Sequence, residues 1–253
     1  MELHQVDLLE HDHVYIIPMS DFHVGDPRFD EKKLLGYIKW VQETPNAYVI
    51  LVGDLMNTAI MGSVSDTYEE TMTPNEQLKR VKQLLTPIKD RILAACDGNH
   101  ERRITKQTSI NITELLAEYL DCYYRPYGYL LKLRVGKRST NAKPSVYTLY
   151  ATHGHGGGGT PGGKINMLTK MAKVVLADIY VAGHCHLMAP FQKVYHMPDT
   201  RNNTVTLAKQ TFVASGSYLG WGGYSEQGIL EPSKLGSPRI RLEGKAPDVH
   251  VSI

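Results

Sequence analysis

This sequence of 253 residues has little net charge, few cysteines and no long apolar run. It contains 28 Lys and Arg residues and 26 Asp and Glu residues, which gives a formal net charge of +2. The overall charge therefore requires neither a nucleic acid nor a membrane as partner. The three cysteines, Cys96, Cys122 and Cys185, are an odd number without C-x-x-C spacing, which argues against a disulfide framework. We therefore expect a reducing compartment, the cytoplasm by default.

The apolar runs are also short, well below the roughly 18 residues that a membrane-spanning helix needs. The first residues, MELHQVDLLEHDH, mix acidic with apolar side chains and lack a basic region followed by an apolar core, which is atypical of a signal peptide. We expect a soluble protein with no membrane partner. The oligomeric state has no signature in the sequence.

Short β-rich runs alternate with helical patterns in the first part of the chain. Each run is short enough to be a buried strand. The predicted strands span residues 13–19, 48–52, 92–96, 146–152 and 179–182. Helices are predicted to begin after Asp30, an N-cap residue, and at a capping box formed by Thr73 and Glu76. Two further helices are predicted over residues 113–120 and 164–175.

After Leu187 the pattern changes to strands, predicted over residues 191–195, 204–214 and 239–242, with no clear helix between them. We interpret these strands as a second sheet. The sequence therefore predicts an α/β fold of two packed sheets flanked by helices, as one domain over residues 1–253.

Side chains that can bind metals follow each of the five strands predicted before Leu187. A single motif of this kind is more often a turn or a cap, but five occur here in succession. Open α/β sheets place their sites at the carboxyl ends of the strands. In chain order the motifs are Asp21-x-His23, Gly53-Asp54, Gly98-Asn99-His100-Glu101, His153-Gly154-His155 and Gly183-His184-x-His186.

The donor types in these motifs indicate a particular class of metal. Carboxylate, imidazole and amide oxygen together suit divalent Mn, Fe, Co, Ni or Zn, with Mn as our first expectation, whereas Mg and Ca prefer sites made only of oxygen. Two ions fit seven donors better than one, because a carboxylate can bridge two ions about 3.5–4 Å apart.

The ordered set of motifs resembles the calcineurin-like metallophosphoesterase family from Asp21 to His186. The resemblance implies a four-layer α-β-β-α sandwich with two metal ions at the edge of its sheets. It also implies that Asp54 bridges the ions and that His100 is the catalytic histidine beside the leaving group. By the same resemblance, one ion is bound by Asp21, His23 and His186, and the other by Asn99, His153 and His184.

This resemblance implies hydrolysis of phosphoesters. Two cations lower the pKa of a water held between them, so that a hydroxide can attack phosphorus near neutral pH. They also polarise the phosphoryl oxygens, over which the transition-state charge is spread. His100, if protonated, could donate to the leaving oxygen.

The substrate is less well defined by the sequence than the reaction. Protein phosphatases of this family carry an Asp-Arg-Gly element in the second motif, whereas Asp54 is followed here by Leu55-Met56-Asn57. We therefore expect a phosphodiesterase acting on nucleotides or nucleic acid. The alternatives are a phosphomonoesterase or protein phosphatase, and a metal-binding scaffold without turnover.

Residues 122–177, here called the basic segment, contain nine Lys or Arg and no Asp or Glu. Six of its basic residues are interleaved with four tyrosines, a mixture that could contact a nucleic-acid backbone and stack on bases. The alternative is an exposed hairpin with solvated lysines. The interleaved residues of the basic segment are Arg125, Lys132, Arg134, Lys137, Arg138 and Lys143, with Tyr123, Tyr124, Tyr127 and Tyr129.

Arg102 and Arg103 lie just after the third motif. They could bind a substrate phosphate or simply be solvated.

Overall fold

The computed structural model of the chain describes residues 1–63, 66–137, 143–156, 160–229 and 231–253. In these residues there are twelve strands, which form two mixed sheets of six strands each. The strands are β1 (Leu3–Leu8), β2 (His13–Met19), β3 (Ala47–Val52), β4 (Ile92–Cys96), β5 (Tyr123–Tyr124), β6 (Tyr129–Val135), β7 (Ser145–Thr152), β8 (Ile179–Ala182), β9 (Met188–Asp199), β10 (Thr204–Ser215), β11 (Arg239–Glu243) and β12 (Val249–Ser252).

Each sheet has a parallel centre. One sheet has the order β12-β11-β2-β3-β4-β5, and β2, β3 and β4 are parallel to one another. The other has the order β1-β6-β7-β8-β10-β9, in which β7, β8 and β10 are parallel. Because the carboxyl ends of parallel strands meet at one edge of a sheet, the loops after β2, β3 and β4 are neighbours, and so are those after β7 and β8.

The first two helices begin at the caps that the sequence predicts. The Asp30 side chain accepts a hydrogen bond from the backbone N of Lys33, and Thr73 and Glu76 form the predicted capping box. Such caps contribute about 1 kcal/mol each. The helices are α1 (Glu31–Glu43), α2 (Pro74–Leu85), α3 (Glu101–Thr108), α4 (Ile112–Leu120), α5 (Pro161–Met171) and the short α6 (Tyr224–Gln227), with a 3-10 helix at Thr86–Arg91.

Three clusters of buried apolar side chains stack the elements into four layers. The inter-sheet cluster includes Ile16 and Ile50 of one sheet and Leu131 and Val181 of the other. On the outer face of the β2 sheet, helices α1, α2 and α4 pack over residues such as Leu51. On the outer face of the β7 sheet, α5 packs with Met167, Leu168 and Met171. The predicted four-layer α-β-β-α sandwich is confirmed.

The division of strands between the sheets differs from our prediction. The strand predicted over residues 239–242 is β11, but it pairs with β2 in the first sheet rather than with β9 and β10. The second sheet begins much earlier in the chain, with β1 and β6. Helix α5 begins at Pro161 and ends at Met171, earlier at both ends than predicted. In the described part of the chain, every helix is too short or too polar to span a bilayer.

Candidate metal centre

The seven predicted donors lie together at the facing edges of the two sheets. Asp21, Asp54 and Asn99 follow β2, β3 and β4, whereas His153 and His184 follow β7 and β8. Six of them belong to overlapping groups in which the donor atoms lie within 4.8 Å of one another, and Asn99 Oδ1 lies 3.1 Å from His153 Nε2. The site therefore depends on both sheets, because neither sheet alone supplies all seven donors.

The first donor group consists of Asp21, His23 and His186. The two Nε2 atoms of His23 and His186 face each other at 3.2 Å. Asp21 Oδ1 lies 3.1 Å from His186 Nε2 and 3.9 Å from His23 Nε2. Asp21 and His23 are almost completely buried, and His186 is partly exposed.

The hydrogen bonds that neighbouring residues make with this donor group leave its free lone pairs directed toward the middle of the group. Asp21 Oδ2 accepts from Ser20 Oγ and from the backbone N of His184, whereas the buried Oδ1 has no hydrogen-bond partner among the described residues. Asn57 donates its amide N–H to Glu70, so its Oδ1 must accept from His23 Nδ1, at 3.2 Å. This fixes His23 as the tautomer with a free lone pair on Nε2, the form that binds a metal.

The second donor group consists of Asp54, His153 and His184, with Asn99 beside them. Asn99 Oδ1 lies 3.1 Å from His153 Nε2 and 2.9 Å from His184 Nδ1. His153 Nδ1 donates to the carbonyl of Val52 at 2.8 Å. Its Nε2 therefore faces Asn99 Oδ1 and Asp54 Oδ2, the latter at 3.0 Å. Several acceptors that converge in this way need a shared positive charge.

Asp54 lies between the two groups, because it belongs both to the second group and to a third group with His23 and His100. Its backbone is held by Glu101, a fully buried carboxylate. Glu101 accepts from the backbone N of Asp54 at 3.0 Å, of Met56 at 2.9 Å and of Gly98 at 2.9 Å. Glu101 therefore ties the β3 loop to the β4 loop and positions Asp54.

The pKa values show that the centre favours positive charge. Burial alone would raise the pKa of the Asp21 and Asp54 carboxyls, but the histidines beside them hold both well below the usual range. Burial alone would lower the pKa of His153, but Asp54, with Asp21 further off, raises it to about 10. A divalent cation would be stabilised by the same negative potential.

His100 has a different environment. Its Nδ1 donates to the carbonyl of Asn57 at 2.7 Å, and its Nε2 lies 3.1 Å from Arg103 Nη2 and 3.7 Å from Asp54 Oδ2. Burial, opposed by Asp54, lowers the pKa of His100 to about 3. His100 is therefore a neutral imidazole whose Nε2 accepts from the Arg103 guanidinium.

Five of the seven donors take a left-handed backbone conformation. The φ angles are 53° for Asp21, 54° for His23, 51° for Asp54, 66° for His184 and 50° for His186. This region costs a non-glycine residue about 1–3 kcal/mol, although Asp and His tolerate it better than most. Such strain is retained only where the surroundings enforce it, which is typical of functional sites.

Some residues of the centre were not identified in the sequence. The Asn57 side chain orients His23 and its carbonyl orients His100, but an Asn three residues after Asp54 has no distinctive signal. Ser217 was different: the sequence singled it out within Gly216-Ser217, as a weak match to a Gly-Ser turn, and in the structure it donates to the carbonyl of Asp21 at 3.0 Å. Backbone carbonyls such as that of Val52 carry no sequence signature at all.

Several side chains of the basic segment already have partners within the protein, so fewer of them are available to a ligand than the composition suggested. Arg134 forms an ion pair with Asp7 of β1 at 3.0 Å, and Arg125 forms one with Glu2, just before β1, at 3.8 Å. The charges of both arginines are therefore neutralised. Tyr123 stacks on His4 with 4.0 Å between ring centroids. Of the four tyrosines, Tyr129 is buried and Tyr127 is 72% exposed. Arg138 lies outside the described residues.

No protein-family model matches the chain, and no curated protein matches its sequence. Among solved structures, the chain is similar to a metallophosphoesterase from Sphaerobacter thermophilus, at 11% identity over 91% of this chain and 83% of that chain, with a TM-score of 0.41. It is similar to Vps29 from Entamoeba histolytica complexed with Zn²⁺, at 12% identity over 91% and 86% of the two chains, with a TM-score of 0.40.

A predicted phosphoesterase from Streptococcus pneumoniae TIGR4 is similar at 15% identity over 91% of this chain and 83% of that chain, with a TM-score of 0.35. All three neighbours have low sequence identity and low TM-scores. At such identities and TM-scores they say nothing about the activity of this chain.

Proposed function

We propose that this chain is a phosphodiesterase that uses two divalent cations to hydrolyse phosphodiesters of nucleotides or nucleic acid. The observation that supports this most strongly is the convergence of seven oxygen and nitrogen donors from five strand ends, with Asp54 between the two groups. The orphaned Oδ1 of Asp21 and the facing Nε2 atoms of His23 and His186 fit a cation better than they fit one another.

The proposed assignment of ligands follows the two donor groups. One cation would be held by Asp21, His23 and His186, and the other by Asn99, His153 and His184, with Asp54 between them. The mixture of carboxylate, imidazole and amide suits Mn²⁺, our first choice, or Fe, Co, Ni or Zn. When bound, the cations would supply Lewis-acid activation of a water nucleophile and of the phosphoryl oxygens.

His100 and Arg103 would act on the leaving oxygen. The carbonyl of Asn57 holds the imidazole in one orientation, with Nε2 toward Asp54 and Arg103. The guanidinium stays charged near neutral pH, so it would stabilise negative charge on a departing oxygen. That oxygen would take its proton from solvent water and would then donate a hydrogen bond to Nε2 of His100. Glu101 and Asn57 would act indirectly: Glu101 positions Asp54, and Asn57 positions His23.

A diester is favoured over a phosphoprotein because of what surrounds the donors. Leu55 and Met56, which follow Asp54, are fully buried apolar side chains and offer no cation to a phosphate. Beside Asn99, in contrast, a cleft of about 730 Å³ offers room for an organic group next to the scissile phosphate.

The test compares bis(p-nitrophenyl) phosphate with p-nitrophenyl phosphate on chelator-stripped protein, with and without added Mn²⁺. We expect metal-dependent cleavage of the diester, its loss in Asp54→Asn, and unchanged activity in Asp90→Asn, an exposed acid on the 3-10 helix. Cleavage of the monoester alone would favour a phosphomonoesterase. Two bound metal ions without turnover of either ester would favour a scaffold.

We also propose that the protein works in the cytoplasm. All three cysteines are free thiols, and Cys96 and Cys185 are buried inside the fold. Measuring the location of the tagged protein in its own cells tests this proposal directly.

A further inference from the structure

A cleft of about 730 Å³ opens beside the second donor group. Helix α3 forms one of its walls, and α5 with the residues just after it forms another, so we call it the α3–α5 cleft. Asn99, whose Oδ1 lies within 3.1 Å of His153 Nε2, belongs to the lining of this cleft, as does His155. The cleft is therefore continuous with the metal centre, and a molecule bound at the centre can extend into it.

Three cations line the α3–α5 cleft: Arg102 and Lys106 from α3, and Lys170 from α5. None of the three forms an ion pair with another described residue. Asp97 also contributes to the lining, but it is buried and accepts a hydrogen bond from Tyr124 at 2.7 Å. The three cations outnumber Asp97, the one acidic residue among the described lining residues, so an anionic ligand would be attracted to the cleft.

The same cleft has an apolar and aromatic wall. Tyr127 is 72% exposed, and the Arg102 guanidinium lies over its ring at 5.7 Å. Met167, Met171 and Val174 lie in the lining as well. Met167 and Met171 are largely buried, whereas Val174 is exposed. An exposed aromatic side chain beside cations binds flat organic groups that also carry charge, through stacking and cation–π contacts.

We propose that the α3–α5 cleft binds the part of the substrate that lies beyond the scissile phosphate, and that this part carries a second phosphate as well as a planar base. This inference rests on the proposed phosphodiesterase function and specifies its substrate as a nucleotide diester with an additional phosphate. Lys106 and Lys170 bind that second phosphate from opposite walls, and Tyr127 with Arg102 stacks on the base.

The test uses the dinucleotide TpT and its two phosphorylated forms, pTpT and TpTp. TpT has only the scissile phosphate, whereas each phosphorylated form adds one phosphate at a known end. We expect the wild-type protein with Mn²⁺ to have a kcat/KM roughly tenfold higher for one phosphorylated form than for TpT, as two exposed ion pairs would give. The double variant Lys106→Gln/Lys170→Gln should lose this preference and retain its rate on TpT.

Lys173→Gln is the matched control, because Lys173 is an exposed lysine just beyond α5 that does not line the cleft. It should keep the full preference. The preference should also fall as salt is added, since exposed charges are screened. Measurable but equal rates on TpT and both phosphorylated forms, or an equal loss on all three in the double variant, would overturn the proposal.

A binding measurement separates failure of the cleft from failure of the catalytic proposal. Titration calorimetry of pTpT, TpTp and TpT into chelated protein reports the cleft without turnover. Tighter binding of a phosphorylated form, lost in the double variant, would support the cleft even if no ester were hydrolysed. Equal binding of all three would reject it even if bis(p-nitrophenyl) phosphate were cleaved.

Discussion

Replacing Gly98 with alanine should disable the metal centre while preserving the fold. The added methyl group would lie 2.7 Å from Asp54 Cγ and closer still to Asp54 Oδ1 and N. Ordinary contact begins at 3.4 Å, so Cγ must move by at least about 0.7 Å. Asp54 cannot move freely, because Glu101 holds its backbone N at 3.0 Å and His153 faces its Oδ2 at 3.0 Å.

The expected magnitude has two parts. Overpacking a buried site costs about 1–3 kcal/mol of unfolding free energy, which lowers the melting temperature. A displacement of about 1 Å at reacting groups costs roughly 100-fold in rate, so kcat/KM on bis(p-nitrophenyl) phosphate should fall by about that factor. Metal content measured by mass spectrometry should fall from two ions per chain to one or none.

Gly36→Ala is the matched control for this variant. Gly36 lies inside α1 with nothing within 4 Å of the added methyl group, and alanine in a helix is favoured over glycine by about 1 kcal/mol. The control should melt at or above the wild-type temperature with full activity. If Gly98→Ala retained two metal ions and the wild-type rate, the close contact between Gly98 and Asp54 would be refuted.

Three further predictions follow from contacts at the centre. Glu101→Gln should cost about 1–3 kcal/mol in denaturant unfolding, because an amide cannot accept all three backbone N–H groups; an unchanged midpoint would contradict this. Asn57→Ala should weaken the binding of one metal ion by about 10–100-fold, since His23 loses the acceptor at Nδ1; calorimetry showing two unchanged affinities would disprove it. Chelation should lower the melting temperature, and returning Mn²⁺ should restore it in proportion to log concentration; a melting temperature independent of metal would argue against binding to the folded chain.

Much of the fold could be predicted because its strands carry local patterns. Residues 13–19, 92–96 and 179–182 were predicted with the observed bounds of β2, β4 and β8. In contrast, β6 alternates buried and partly exposed residues along its whole length, but its Lys132 and Arg134 were interpreted as part of a charged surface. Helix α3 was missed because its one buried residue is a carboxylate, Glu101, rather than an apolar side chain.

Pairing between distant strands could not be predicted in the same way. Strand β11 has a β-rich pattern that does not specify its partner, and it pairs with β2, more than 200 residues earlier in the chain. The candidate ligands were easier to predict, because each follows a recognisable strand. The groups that orient them, such as the carbonyls of Val52 and Asn57, become visible only once the loops are folded. The prediction of a single domain over residues 1–253 stays a prediction.

The dependence of the site on both sheets has a consequence for synthesis of the protein. Asp21 emerges from the ribosome early, but its partners at the centre are His184 and His186, and its carbonyl is held by Ser217 and Tyr218. Contacts over such sequence separations form late and slowly. A chain that ends before Ser217 therefore contains all seven donors but lacks the two residues that hold the Asp21 carbonyl, so we expect its centre to bind metal more weakly.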